Sequence, residues 1–181
     1  ASPSTQHDPV IPIATDPAVQ RPIQAVRGVR PFRITFLGGL HWPPNAEGVS
    51  WFANHVWPQV AKALPSAVLT LIGKTGRGLQ LPGDIRRVEV TGYLSDPHRH
   101  LAETAVFIVP LQAGAGMRVK ILDAWCWGLP VVSTAVGAEG LRARHGENLL
   151  IADEPETFGS AVVRAFSDRR LAQSLADGGR S

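Results

Sequence analysis

Cysteine, methionine and tyrosine each occur only once in 181 residues. The lone Cys126 excludes an intrachain disulfide framework and a cysteine metal cluster. Set between Trp125 and Trp127 in a helical stretch, it is expected to be a packed core thiol. No apolar run approaches the ~20 residues of a membrane-spanning helix. Charge is sparse too: Asp, Glu, Lys and Arg make up 18% of the chain, the net charge is +3, and the cations are scattered. That speaks against a nucleic-acid-binding tail or a polybasic membrane patch and allows a site for an acidic small molecule. With no initiator Met, no basic start and no apolar signal segment, the chain is expected to be a piece of a longer protein. Its hydrophobic content of 44% suffices for a core, in a length suited to one domain.

Residues 1–31 are rich in Pro, Asp, Thr and Gln and show no apolar period, so they read as a linker or extended arm. Within them, Val10 to Ile13 could pack on the domain or add an edge strand. Residues 32–181 alternate strand-like and helix-like segments. The strands are expected at Phe32–Leu37, Ala67–Ile72, Arg87–Val90, Ala105–Val109, Val131–Ser133 and Leu149–Ile151. Leu40 to Ala46, with paired prolines, reads as a loop, followed by a helix from about Glu47 to Leu64 that Pro58 should kink or break. Val49, Phe52, Ala53, Val56 and Val60 form its apolar stripe. Asp96-Pro97 marks a short helix start, Gly137 to Gly140 a loop, and helices are expected over Pro155–Phe166 and about Asp168–Ala176. This alternation predicts an α/β fold, a Rossmann-like doubly wound six-stranded parallel sheet. Ligands of such sheets bind outside the carboxyl ends of the strands, at the switch point.

The most informative stretch runs from Val109 to Val132. It reads as strand, glycine loop, helix and next strand. Gly114 and Gly116 allow close approach of backbone to a ligand. The helix should open at Met117 or Arg118 and stop at Gly128, with Pro130 beyond. Its charges are inverted, since Arg118 and Lys120 occupy the first turn and the only acid, Asp123, comes later. Cations there oppose the helix dipole. An anion bound at the glycine loop would reverse the sign, gathering amides, dipole, Arg118 and Lys120 onto one phosphate-like group. Gly38-Gly39, after the first strand, is a second place of close backbone approach.

Three suggestive patterns fail on inspection. Gly73-Lys74-Thr75 resembles the end of a P-loop, but Val68 stands where that motif needs its first glycine. Gly114-Ala115-Gly116 is only part of a dinucleotide fingerprint, and no acid at a second strand end is placed to hold a ribose. His98 and His100, two apart, do not share a helical face and are expected to be solvent-exposed rather than a metal pair.

From about Pro9 to Gly179 the chain resembles the C-terminal, nucleotide-sugar-binding half of retaining glycosyltransferases of the GT-B fold, the group 1 or family 4 type. Val10 to Asp16 looks like the segment entering that domain. Phe36-Leu-Gly-Gly39 is similar to its first glycine turn, and Val88 to Tyr93 to the strand and turn that hold the base. Lys120 to Ala124 with Gly128 to Ser133 resembles the acid-bearing helix and next strand. Trp42 to Gly48 and the Arg-x-Lys of the donor helix look like a bacterial exopolysaccharide and surface-glycan subgroup.

The chain departs from the family in three ways. Of two acids with seven residues between them, the first position is Ala115, where sugar contact is usual, and the second is Asp123, where ribose contact is usual. His41 and Trp42 replace the Arg and Lys usually found after the first glycine turn, so Arg118 and Lys120 could carry those charges. The N-terminal acceptor half and the closing C-terminal helix are missing from this chain. The resemblance implies a donor domain binding a nucleoside-diphosphate sugar as substrate, with no cofactor and no metal. Arg118, Lys120 and Asp123 would be its catalytic residues. Gly38, Gly39, Tyr93, Gly114, Ala115, Gly116 and Met117 would contact the donor. The expected partners are the donor and the missing half, not nucleic acid. The expected location is cytoplasmic, or peripheral at the inner membrane face through the full-length protein. A non-catalytic nucleotide-sugar-binding or scaffold domain, or half of a sugar-nucleotide epimerase, remains open.

Overall fold

The computed structural model describes Ile23, residues 31–114 and residues 119–181. Its strands are β1 (Arg33–Leu37), β2 (Val68–Ile72), β3 (Val88–Gly92), β4 (Thr104–Val109), β5 (Val131–Ser133) and β6 (Leu150–Ile151). They form one parallel sheet in the order β3-β2-β1-β4-β5-β6. The chain therefore starts at the centre, winds outward through β2 and β3, returns to lay β4 beside β1, and winds outward the other way. The switch point lies between β1 and β4.

The central strands read as apolar runs because helices cover both faces of the sheet. On one face Ile34, Phe36, Leu69, Leu71, Val106 and Ile108 are buried in a core shared with helices α1 (Pro43–Trp51), α2 (Trp57–Ala63) and α6 (Pro155–Ser167). Phe158 of α6 meets Trp51 and Phe52 edge to face, with ring centroids 5.6 and 5.7 Å apart. On the other face Phe107, Val109 and Val131 pack with Ile121, Ala124 and Trp125 of α4 (Val119–Cys126). Among the described residues no helix is long and apolar enough to cross a membrane.

Most element positions follow the sequence expectation, and the differences have physical causes. Pro43 and Pro44 are not loop residues; they are the first residues of α1. The N–H groups of a first helical turn have no partner within the helix, so proline loses nothing there. The irregularity expected at Pro58 takes the form of a helix interrupted just before it. A π-helical turn over Phe52–Val56 precedes it, and Pro58 then falls in the opening turn of α2, where its missing N–H is again harmless. Gly137 lies not in a loop but in a single helical turn, α5 (Ala135–Ala138), whose Gly137 N–H donates to the capping Thr134 Oγ1 at 3.0 Å. The short helix α3 (His98–Ala102) follows Asp96, whose carboxylate accepts from the His98 N–H at 3.0 Å. α4 stops as expected: Gly128 has φ +73°, and the Leu129 N–H closes back onto the Ala124 carbonyl at 2.9 Å. The last helix, α7, spans Arg169–Gly179 and is capped by Asp168. Cys126 is half-buried rather than enclosed in the core. Ile23 donates its N–H to the Trp127 carbonyl at 3.0 Å; the rest of the 1–30 arm, Val10 to Ile13 included, lies outside the described residues.

Where β1, β2 and β3 face α3, the sheet is polar. Arg33 donates to Thr70 Oγ1 at 2.9 Å and to Glu103 Oε2 at 2.7 Å, and also pairs with Glu89. His100, expected at the surface, instead has a side chain only 19% exposed and reaches Glu89 Oε1 at 3.4 Å. Burial alone would raise the Glu89 pKa, but the hydrogen bond and charge of Arg33, helped by His100, outweigh it and hold the carboxyl below its usual range. A depressed carboxylate pKa stabilises the fold above the unfolded-state value and stops doing so as pH falls through the folded value. The melting temperature should therefore drop on acidification below about pH 4.5. Glu89→Gln should make that dependence shallower; an unchanged slope would show that Glu89 is not the group responsible.

Candidate functional site

The carboxyl ends of β1 and β4 are neighbours whose chains leave in opposite directions, which opens a crevice between them. β1 runs into Gly38-Gly39. The Gly38 N–H donates to the Ile72 carbonyl and the Gly73 N–H to the Gly92 carbonyl, each at 2.9 Å, so the ends of β1, β2 and β3 are laced in a row. The chain after β2 crosses tightly under the Gly38 turn, where the His41 N–H donates to the Lys74 carbonyl at 3.0 Å. β4 runs into Pro110, Leu111 and then Gly114, which has φ +128° and lies against Pro44 at the start of α1. From the β5 side, Thr134 Oγ1 donates to the Leu111 carbonyl at 2.5 Å and fixes the exit of β4.

Lys120, in the first described turn of α4, reaches this crevice. Its Nζ donates to Asn45 Oδ1 at 3.0 Å and stands 5.6 Å from the centre of the Phe36 ring, within cation–π range. A Cβ placed on Gly38 would lie 3.2 Å from Lys120 Cε and 3.2 Å from Asn45 Nδ2. The ammonium therefore sits beside the first glycine turn, although 82 positions separate Lys120 from Gly38 in the chain (120 − 38). The start of α1 contributes little for an anion. Pro43 and Pro44 have no N–H, and the N–H groups of Asn45 and Ala46 turn back onto the Trp42 carbonyl at 3.1 and 3.0 Å. Positive charge at the crevice thus comes from α4 rather than α1.

The expected site residues fall into four groups. Gly38, Gly39, Gly114 and Lys120 come together at the switch point. Asp123 lies about one turn further along α4 and is half-buried. Tyr93 follows the edge strand β3, two strands from β1, and is 78% exposed; two interstrand spacings amount to roughly 10 Å. Ala115, Gly116, Met117 and Arg118 lie outside the described residues. Two residues of the site escaped the sequence reading. Asn45 was visible only as part of the Trp42-to-Gly48 segment. Gly73, set aside as a false P-loop, is a glycine because the Gly38 carbonyl crosses directly over it.

The two glycines of the β1 turn should respond differently to substitution. Gly38→Ala pushes a methyl against Lys120 and Asn45 and should weaken anion binding several-fold with a small loss of stability. Gly39→Ala leaves Lys120 alone but brings a methyl to 2.7 Å from the His41 ring, which must swing away from the Lys74 carbonyl, so it should weaken binding less, at a larger cost in stability. Phosphate or nucleotide titration of both variants checks this, and equal effects would contradict the placement of Lys120.

The chain is similar to known proteins over most of its length. A 44.6 kDa protein encoded in the cps region of Klebsiella pneumoniae is 32% identical over 139 residues, covering 72% of this chain and 36% of its own length. The chain thus spans about a third of that relative. The solved C-terminal domain of the group 1 glycosyl transferase LpcC from Francisella tularensis superposes with TM-score 0.69 at 16% identity, over 92% of this chain and 95% of that one. HepE of Anabaena, solved in complex with UDP and glucose, superposes with TM-score 0.65 at 19% identity, over 84% of this chain and 44% of HepE. At such identities these superpositions establish the fold, a GT-B C-terminal domain. The family of glycosyl transferases group 1 matches residues 31–168, and the chain belongs to that family.

Proposed function

We propose that this chain is the donor-binding half of a retaining glycosyltransferase, with residues 32–181 as the nucleotide-sugar domain and 1–31 as the arm entering it. It takes a nucleoside-diphosphate sugar, and the sugar passes to a glycan or lipid-linked acceptor held by an N-terminal half on the cytoplasmic side of the membrane. The observation that carries this reading is the Lys120 ammonium beside the Gly38-Gly39 turn at the switch point. A diphosphate lying across that turn gains negative charge as the glycosidic bond breaks, and a fixed cation stabilises the charge where it develops. Arg118, two residues earlier, adds a second cation, and the glycine loop of Gly114, Ala115, Gly116 and Met117 supplies backbone donors. Asp123 accepts from the ribose hydroxyls, and Tyr93 borders the base. Alone, the chain binds donor and transfers nothing, because nothing in it is assigned to the acceptor.

The fold matches a protein solved with UDP and glucose, which makes UDP the first ligand to try. In a thermal-shift series with UDP, GDP, ADP and CDP, a ligand that binds only the folded state raises the melting temperature. A shift with one diphosphate, absent with the matching nucleoside, supports the reading and identifies the base. No shift with any of them at millimolar concentration overturns donor binding by this half. Binding by the intact protein without sugar transfer would favour a non-catalytic nucleotide-sugar domain, the reading to which Ala115 in place of the usual acid points.

A further inference from the structure

Asn45 is 9% exposed and belongs to the first turn of α1. Its amide bridges two elements that no local pattern connects. Nδ2 donates to the Gly39 carbonyl at 2.9 Å, and Oδ1 accepts from Lys120 Nζ at 3.0 Å. Gly39 lies at the end of β1 and Lys120 on α4, so the bridge spans the switch point itself. We propose that Asn45 is a positioning residue for the donor diphosphate, holding the Lys120 ammonium beside the Gly38-Gly39 turn. The proposal rests on the donor-domain reading above.

The chemistry of the bridge favours an amide over the alternatives. The Gly39 carbonyl requires a donor and the ammonium requires an acceptor, and a side-chain amide offers one of each about two ångströms apart. A carboxylate would satisfy the lysine but would repel the Gly39 carbonyl. It would also cancel the charge on which anion binding depends. A neutral acceptor orients the ammonium without itself neutralising it. Phe36 completes the arrangement by placing its ring below the ammonium. The same crossing explains why position 38 is glycine: the Asn45 amide and the lysine stem fill the space a side chain would need.

A purely structural role for Asn45 makes a different prediction, and the two can be separated. Asn45→Asp places an acid in the first turn of α1, where the helix dipole favours it, and gives Lys120 a charged partner. Asn45→Ala removes both hydrogen bonds. If Asn45 only supports the fold, affinity should follow melting temperature, with Ala the weaker binder. If it positions Lys120, the order crosses: Asp keeps the higher melting temperature but binds the diphosphate at least roughly tenfold more weakly than the parent, and more weakly than Ala. The measurement is calorimetric titration of the whole 181-residue chain with UDP, or with whichever diphosphate gives the largest thermal shift. Melting curves are recorded on the same samples. Asn45→Ser, tolerated near helix starts but too short to reach Lys120, stands in if the Asp variant does not fold; it should bind several-fold more weakly. Affinities that track melting temperature, or a Ser variant binding as the parent does, overturn the role of Asn45 alone. A parent chain that binds no diphosphate overturns the donor reading and this inference with it.

Discussion

Gly73→Ala should cost the domain at least about 3 kcal/mol, the sum of an overpacked contact and a strained backbone position. Gly73 has φ +149°, and a Cβ there would lie 1.9 Å from the Gly38 carbonyl oxygen and 2.7 Å from its carbon. Both atoms are backbone, so no rotamer change relieves the clash. The turn after β1 would have to lift away from the end of β2. That would break the 2.9 Å bond from the Gly38 N–H to the Ile72 carbonyl and disturb the matching bond from Gly73 to Gly92. For a domain of this size the loss corresponds to a melting temperature lower by more than about 6 °C, out of a total stability of about 5–15 kcal/mol. Gly83 provides the control. It is exposed and an added Cβ meets nothing within 4 Å, so Gly83→Ala should melt within about 1 °C of the parent. Circular-dichroism melts of the two variants decide the matter. If Gly73→Ala melts with the parent, the crossing of β2's exit beneath Gly38 is wrong, and with it the floor of the crevice.

Lys120→Met should lower nucleoside-diphosphate affinity by about 10–100-fold, the equivalent of losing a charge-assisted hydrogen bond of roughly 1.5–3 kcal/mol. Methionine keeps most of the stem that packs beside Gly38 and over Phe36 but removes the charge and, with it, the hydrogen bond to Asn45. The lost bond to Asn45 should lower stability by about 1 kcal/mol, and the loss of affinity should exceed what that fall accounts for. Lys62, exposed on α2 and far in the fold from the switch point, gives the comparison: Lys62→Met removes the same formal charge and should leave affinity alone. The gap between the two variants should narrow as salt is raised, because screening weakens the attraction of a partly exposed cation for a phosphate. Equal affinities for Lys120→Met and the parent would remove Lys120 from the site and leave Arg118 as the cation to test.

Much of this molecule was legible from residue order. Parallel strands buried on both faces must be apolar along their length, so all six could be located to within a residue or two, and their alternation with helices implied the sheet class. Gly38-Gly39 and Gly114 announced themselves as turns at strand ends. Gly128 marked the end of α4 because a left-handed residue there is a local requirement. Local reading failed where a residue's role depends on something distant. Pro43 and Pro44 look like helix breakers until they prove to occupy a helix's first turn.

The long-range polar contacts, in the site and outside it, were not legible at all. Asn45 and Lys120 are 75 residues apart, Arg33 and Glu103 are 70 apart, and Gly73 is constrained by a carbonyl 35 positions earlier (73 − 38). Periodicity reports which face of an element is apolar, because that is a property of one helix or strand. It carries no record of which polar atom on one element meets which on another. The sequence by itself therefore determined the strands, the helices, the sheet class and the residue types available at a phosphate-like site. Only the tertiary structure decided that β1 and β4 would be neighbours, and thus that an asparagine from the first helix would hold a lysine of the fourth beside the first glycine turn. The physical reason is that hydrogen-bond complementarity acts over about 3 Å in space, whatever the distance along the chain.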